Sequence, residues 1–359
     1  MIQLTANNDT IKKMNNRQSE VLKFISTHKN VSITDLENHI AQTAFSDISR
    51  ITLIRDLDFL QKKHLIKRQG RARSIFYSPI LLNPLLEYWD IENYFKISPD
   101  DRTLKSRNFS FDVFQNLKSL FSSEELTKID QQNEIFRKKI KMSSPKIRQK
   151  EFERLTVEFS WKSSHIEGNT YSLLDTERLI KENIKANGHS QEESTMILNH
   201  KYALDFIFSD PTYFHQITLF KILELYSLIS KNLDISQGLR TSSVGIVGTA
   251  YKPLDNQHQI YDAMQILEKT LSILEHPFER AFVAVLMISY IQPFEDGNKR
   301  TSRILANAIL MSENYCPLSY RSVDEVEYKK AMIMFYEQNS SEYFKRIFME
   351  QFRQAVENY

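Results

Sequence analysis

The chain is short of cysteine and glycine and carries almost no net charge. One cysteine in 359 residues, Cys316, excludes an internal disulfide framework and suits a reducing compartment. Only 7 glycines are present, and apolar positions recur mostly at helical spacing, so the expectation is an α-rich fold. A net charge of +2 gives the whole chain no case for nucleic acid or membrane. Any basic face must therefore be local. Long apolar runs are missing too: "AFVAVLMISYI" reaches about half the length a membrane-spanning helix needs. The opening "MIQLTANNDT" has no apolar core of the kind a signal peptide carries. What is there, 41% hydrophobic and 26% charged residues, is ordinary for globular chains and leaves room for two or three domains. The reading is of a cytoplasmic, bacterial protein with no membrane partner.

Residues 17–78 look self-contained. "RQSEVLKFISTHKN" places Val21, Leu22 and Ile25 on one helical face, and Ser32 is an N-cap candidate for a helix burying Ile33, Leu36 and Ile40. A third helix follows, with Ile51, Ile54, Leu57 and Leu60 expected inward. "IKRQGRARSIFYS" then reads as two short strands around Gly70. Three helices and a hairpin form the winged helix-turn-helix pattern, assigned to a domain over residues 1–80. Arg50, Thr52 and Arg55 fall on the polar side of the third helix, while Lys67, Arg68, Arg71 and Arg73 cluster at the hairpin. That distribution favours DNA as a partner, with a protein-binding module as the alternative. "SPILLNPLLEYWDIENYF" reads as a packed tether to the rest of the chain.

The densest chemistry lies in "YIQPFEDGNKRTSR", residues 290–303. An apolar helix leads in and a second helix leads out, so the loop delivers a helix N-terminus, where free N–H groups and the dipole favour an anion. Gly297 permits close backbone approach, Arg300 and Arg303 point the same way, and Asp296 can hold a divalent cation. Together these make a polyphosphate site.

"QPFEDGNKRTSR" resembles the signature of the Fic family, His-x-Phe-x-Asp/Glu-Gly-Asn-x-Arg-x-x-Arg, matched at Phe294, Asp296, Gly297, Asn298, Arg300 and Arg303. "SSHIEGNT" resembles that family's inhibitory motif at Ser163, Glu167 and Gly168, and "GLRTSSVGIVGTAYKPL" resembles its β-hairpin flap. The resemblance implies a winged helix followed by an all-α Fic domain with a small flap. Residues 81–168 would be the N-terminal Fic region ending in an inhibitory helix, and 169–359 the catalytic core. It implies transfer of AMP from ATP to a Ser, Thr or Tyr hydroxyl of a protein, the chain itself being one candidate. Asp296 would bind Mg²⁺. Gly297, Asn298, Lys299, Arg300 and Arg303 would hold ATP, Phe294 would anchor the loop, and Thr249, Ala250, Tyr251 and Lys252 would dock the target. A homodimer is also compatible with the family.

Two positions depart from the family pattern. Gln292 stands where the family has its catalytic histidine, and an amide cannot take a hydroxyl proton near pH 7. The expectation is a form that binds ATP and Mg²⁺ yet is nearly inert, the glutamine being either native or introduced. Lys299 replaces the usual glycine and is shared with the Doc branch, which keeps phosphoryl transfer open as the alternative reaction. A non-catalytic, ATP-sensing regulator is the third reading. By resemblance, Glu167 occupies Arg303 and acts as an intramolecular brake, steadied by Ser163.

Overall fold

A computed structural model describes residues 14–28, 30–71, 74–80 and 83–359. They divide into two compact units, one ending at Arg102 and the other spanning Thr103–Tyr359.

In the first unit, α1 (Asn16–Thr27), α2 (Ile33–Ile40) and α3 (Arg50–Lys62) are followed by strands β1 (Ile66–Gln69) and β2 (Phe76–Pro79). Each helix starts at a side-chain cap: Asn15, Ser32 and Ser49 accept backbone N–H groups, satisfying donors that would otherwise be orphaned. The strands pair antiparallel, Ile66 opposite Pro79, and Val31 adds a bridge to Tyr77. Gly70 makes the turn at φ 84, and a Cβ there would meet the Ser74 carbonyl oxygen at 1.8 Å. Val21, Leu22, Ile25, Leu36, Leu57 and Leu60 form one core.

One expectation is corrected here. Ile51 and Ile54 are exposed at 62% and 40%, while Leu53 is buried. The inward face of α3 runs Leu53, Asp56, Leu57, Leu60, the i, i+3, i+4, i+7 spacing of a helix, with Asp56 paired to Arg17 at 2.6 Å. Steps of three drift off that face.

A short α4 (Ile91–Phe95) precedes the boundary. The second unit is helical: α5 (Ser123–Met142), α6 (Pro145–Ile166), α7 (Leu173–Glu182), α8 (Gln191–Ser209), α9 (Leu219–Ile229), α10 (Gln257–Ile273), α11 (Pro277–Ile291), α12 (Asn298–Ser312), α13 (Glu325–Gln338) and α14 (Glu342–Asn358). Helices α11 and α12 are its centre. Every residue from Ala281 to Ile291 is buried, and so is every residue from Arg300 to Leu310. Burial on α12 extends beyond the apolar Ile304, Leu305, Ala308 and Ile309 and takes in Arg300 and Arg303.

The expected β-hairpin flap does not form. Among the described residues the only sheet is β1–β2, and Gly238–Leu254 is irregular, touching strand geometry only where Lys252 bridges Asn108.

Candidate active site

Between the two central helices the chain must reverse within six residues, and the side chains inside the loop explain how. Gln292 closes α11 in the left-handed region, φ 51, its N–H bonded to the Ile288 carbonyl. Arg240 holds the far side: its Nε donates to the Gln292 carbonyl at 2.6 Å and its backbone N–H to that of Pro293 at 3.0 Å. Phe294 is fully buried and lies flat on Tyr226, ring centroids 3.8 Å apart. Asn298 laces the turn, accepting the Phe294 N–H and donating to the Phe294 carbonyl, both at 2.8 Å. Its amide therefore shapes the loop, a different job from the phosphate contact the motif suggests.

The loop opens into α12 through Gly297 at φ 78, and no side chain caps the helix there. The orphan N–H groups of the first turn are left for a ligand. Two buried arginines back them. Arg300 donates through Nη2 to Asp296 Oδ2 at 2.6 Å, while its buried Nη1 has no partner. Arg303 donates through Nε to Ser163 Oγ at 2.9 Å, and through Nη2 to the Ser163 carbonyl and to Glu167 Oε1, each at 2.8 Å. Its Nη1 also lacks a hydrogen-bond partner among the described residues. Lys299 lies 3.4 Å from the other Glu167 oxygen. Burial would raise the Glu167 carboxyl, but Arg303, Lys299 and Arg300 outweigh it and bring its pKa down to about 2.

Ser163, expected to steady Glu167, bonds to Arg303 instead. Behind it stands His200 of α8, fully buried, with Nε2 2.8 Å from Ser163 Oγ and Nδ1 2.8 Å from the Met196 carbonyl. A carbonyl only accepts, so the Nδ1–H tautomer follows. His200 Nε2 then accepts a hydrogen bond from the Ser163 hydroxyl, and Ser163 Oγ offers its lone pairs to Arg303. Burial and the nearby Arg300 lower the imidazole pKa to about 3, keeping it neutral. The sequence held no local signal for His200, because the contact joins α6, α8 and α12.

Glu167, Gln292, Asp296, Gly297, Asn298, Lys299 and Arg300 line one cleft of about 380 Å³, with Tyr328, Met332 and Tyr336 on an apolar wall. Gly168, at φ 100, ends the segment carrying Glu167. Gln292 is 7% exposed and its amide donates back to the Ser289 carbonyl at 2.7 Å. Asp296 is 65% exposed. No cluster of three or more His, Cys, Asp or Glu suited to a metal exists among the described residues. A cation here would rely on Asp296 and on the bound phosphates.

The segment expected to dock a target lies elsewhere. Thr249, Ala250, Tyr251 and Lys252 do not line the cleft. Tyr251 is buried, donating to the Tyr290 carbonyl at 2.8 Å, and the backbone of Lys252 is already bonded to Arg107 and Phe109. Val244–Val247 reach the cleft in their place, with Val247 97% exposed.

In the first unit, Arg55, Lys67, Arg68 and Arg71 are exposed, whereas Arg50 pairs with Glu37 at 2.8 Å and Thr52 contacts its cap, Ser49. Arg73 lies outside the described residues.

Comparison with known proteins bears on the same loop. Residues 216–310, which contain it, match the Fic/DOC family model. The chain is 27% identical over 323 residues to the protein adenylyltransferase Fic of Drosophila erecta, covering 82% of this chain and 62% of that protein. It is 32% identical over 168 residues to that of Aedes aegypti, covering 45% of this chain and 33% of that one. The chain thus spans less than two thirds of these relatives. Among solved structures, a form of Fic-1 from C. elegans covers 66% of this chain and 70% of its own at TM-score 0.56 and 20% identity. A Fic domain containing signaling protein from Bacteroides thetaiotaomicron covers 65% of this chain and 95% of its own at TM-score 0.54 and 19% identity. The likeness to both structures is one of fold.

Proposed function

We propose that the second unit is a protein adenylyltransferase of the Fic type, moving AMP from ATP to a hydroxyl of a protein, this chain included. The observation that carries the reading is the uncapped N-terminus of α12 backed by two buried arginines, each with an unpartnered Nη1. A polyphosphate supplies the acceptors that these donors lack. In the transfer the target oxygen bonds to the α-phosphorus, the bond to the bridging oxygen breaks, pyrophosphate leaves, and the hydroxyl proton must be removed. This chain's residues position and neutralise: α12 amides, Arg300 and Arg303 bind phosphate, and the loop of Val244–Val247 borders the target's approach. Magnesium, when bound, would offset phosphate charge, and Asp296 is the residue that would hold it. Arg300 engages only Asp296 Oδ2, which leaves Oδ1 for the cation.

Gln292 occupies the proton-accepting position, and its amide is turned onto its own helix. The glutamine form therefore binds ATP and transfers little, since losing a general base costs about 10²–10⁴-fold. Glu167 supplies the brake: it fills the donors of Arg303 that a γ-phosphate would use. Lys299 supports the alternative of phosphoryl transfer, being a further cation at the terminal phosphate end of the cleft. In a non-catalytic reading, Gln292 is native and ATP acts as a signal. The first unit is proposed as a winged helix-turn-helix that binds DNA through Arg55, Lys67, Arg68 and Arg71, with Arg50, Thr52 and Arg73 as further candidates. The domain divisions at 80/81 and 168/169, cytoplasmic location and a homodimer complete the proposal.

The test is transfer of label from ATP labelled at the α- or the γ-phosphate, using this chain and its Gln292→His form, each with and without Glu167→Gly. Label from the α position confined to Gln292→His supports AMP transfer, and label from the γ position alone means phosphoryl transfer. Silence in every form, with ATP still bound, leaves the sensor.

A further inference from the structure

At one end of the second unit the chain concentrates positive charge without answering it. Between Arg137 and Lys150 stand seven basic residues and no acidic one, in a chain whose net charge is only +2. Arg137 donates to the carbonyls of Glu313 and Asn314, and Lys139 to that of Val356. Among the described residues no carboxylate pairs with Lys138, Lys141, Lys146, Arg148 or Lys150, and all five are exposed.

Helix electrostatics accounts for only part of this. Lys139 and Lys141 sit in the last turn of α5, where cations complement the dipole. Lys146 and Arg148 sit in the first turn of α6, which contains no acid, so there the dipole opposes them. Like charges crowded at this helix end do not stabilise it, and a ligand would answer them.

Lys141 and Arg148 line a groove of about 660 Å³ where α5, α6 and the ends of α8 and α12 meet, and Lys146 stands in the same first turn of α6 as Arg148. Phe152 and Phe208 stack on its wall with centroids 3.8 Å apart, and Leu155, Pro211 and Met311 continue the apolar surface. Phe208 is 47% exposed, and beside the groove Met142 and Ile147 are exposed at 87% and 51%.

We propose that this groove docks an acidic segment of a partner protein, which lays a bulky apolar side chain over Phe152 and Phe208 while its carboxylates meet Lys141, Lys146 and Arg148. Such a segment supplies both the anions and the apolar group. A nucleic acid duplex keeps its bases stacked inside and has nothing for the apolar wall, and a flat membrane surface does not reach into a concave one. The groove is apart from the cleft at α12, so docking would recruit a protein without obstructing the site.

Fluorescence anisotropy of the full chain tests this with a fluorescein-labelled acidic peptide carrying a central Leu-Phe pair, its Ser-Ser counterpart, phosphatidylserine vesicles and a duplex oligonucleotide as competitors. The Leu-Phe peptide should bind roughly tenfold more tightly than the Ser-Ser one. Its affinity should fall with salt, and both Phe208→Asp and Lys146→Glu with Arg148→Glu should weaken it by a similar factor. Circular dichroism and thermal melting check that each variant is folded before its binding is compared. Equal binding of the two peptides, indifference to Phe208→Asp, no binding, or displacement only by vesicles or duplex would overturn the proposal.

Discussion

Glu167, at the end of α6, accepts a hydrogen bond from Arg303 Nη2 of α12 at 2.8 Å, across 136 residues of chain. Arg303 is fully buried and Glu167 remains 19% exposed, so the pair is reachable from the cleft on the carboxylate side only. Removing the carboxylate frees the arginine for phosphate. In the Gln292→His form, Glu167→Gly should raise AMP incorporation at least about tenfold. Incorporation measured with α-labelled ATP decides it, and an unchanged rate would refute the brake.

His200 makes stability fall with acid. Its folded pKa is held near 3, below that of an exposed imidazole at about 6.5, so protons bind the unfolded chain first. Its contribution is complete above pH 6.5 and declines between 6.5 and 3, by about 2 kcal/mol at pH 5. Calorimetry should show a shallower loss of Tm from pH 7 to 5 in His200→Gln. Glu167, whose folded pKa is lowered to about 2, contributes fully above its unfolded value and fades only as pH falls from there toward 2.

Gly297→Ala should weaken ATP binding about tenfold without unfolding the protein. The residue holds φ 78, where a side chain costs about 1 kcal/mol, and the new Cβ would lie 3.4 Å from Arg300 Nη2. Titration with a fluorescent ATP analogue measures the first effect, and thermal melting the second.

In the first unit, alanine at Lys67, Arg68 or Arg71 should weaken DNA binding alike for all sequences and reduce the salt slope by about 1 each. Binding assays at several salt concentrations read both quantities. An unaltered slope would assign the exposed basic hairpin to another partner.

Where one short stretch holds all the information, sequence and structure agree. The cap at Ser32, the inward Val21, Leu22 and Ile25, the turn at Gly70 and the convergence of Asp296, Gly297 and Arg300 are legible in the sequence, because each depends on neighbours within a helical turn or two. What was hidden depends on distant chain. The flap was read as strands from its likeness to a family segment, but Lys252 spends its backbone bonds on Arg107 and Phe109, and Tyr251 is drawn into the core by Tyr290. Likeness to the inhibitory motif sets Ser163 beside Glu167; its actual partners, Arg303 and His200, come from two other helices. In α3 the apolar residues outnumber the inward positions, and only packing selects Leu53 over Ile54.

At position 292 the fold uses the backbone: the N–H caps α11 and the carbonyl receives Arg240, whatever the side chain. Histidine, moreover, tolerates the left-handed conformation well. Codons for histidine and glutamine differ only in the third nucleotide. On the proposed function, a single base change there would switch transfer on or off while leaving the folded scaffold in place, so a population of such genes could lose the activity and regain it without passing through a misfolded intermediate.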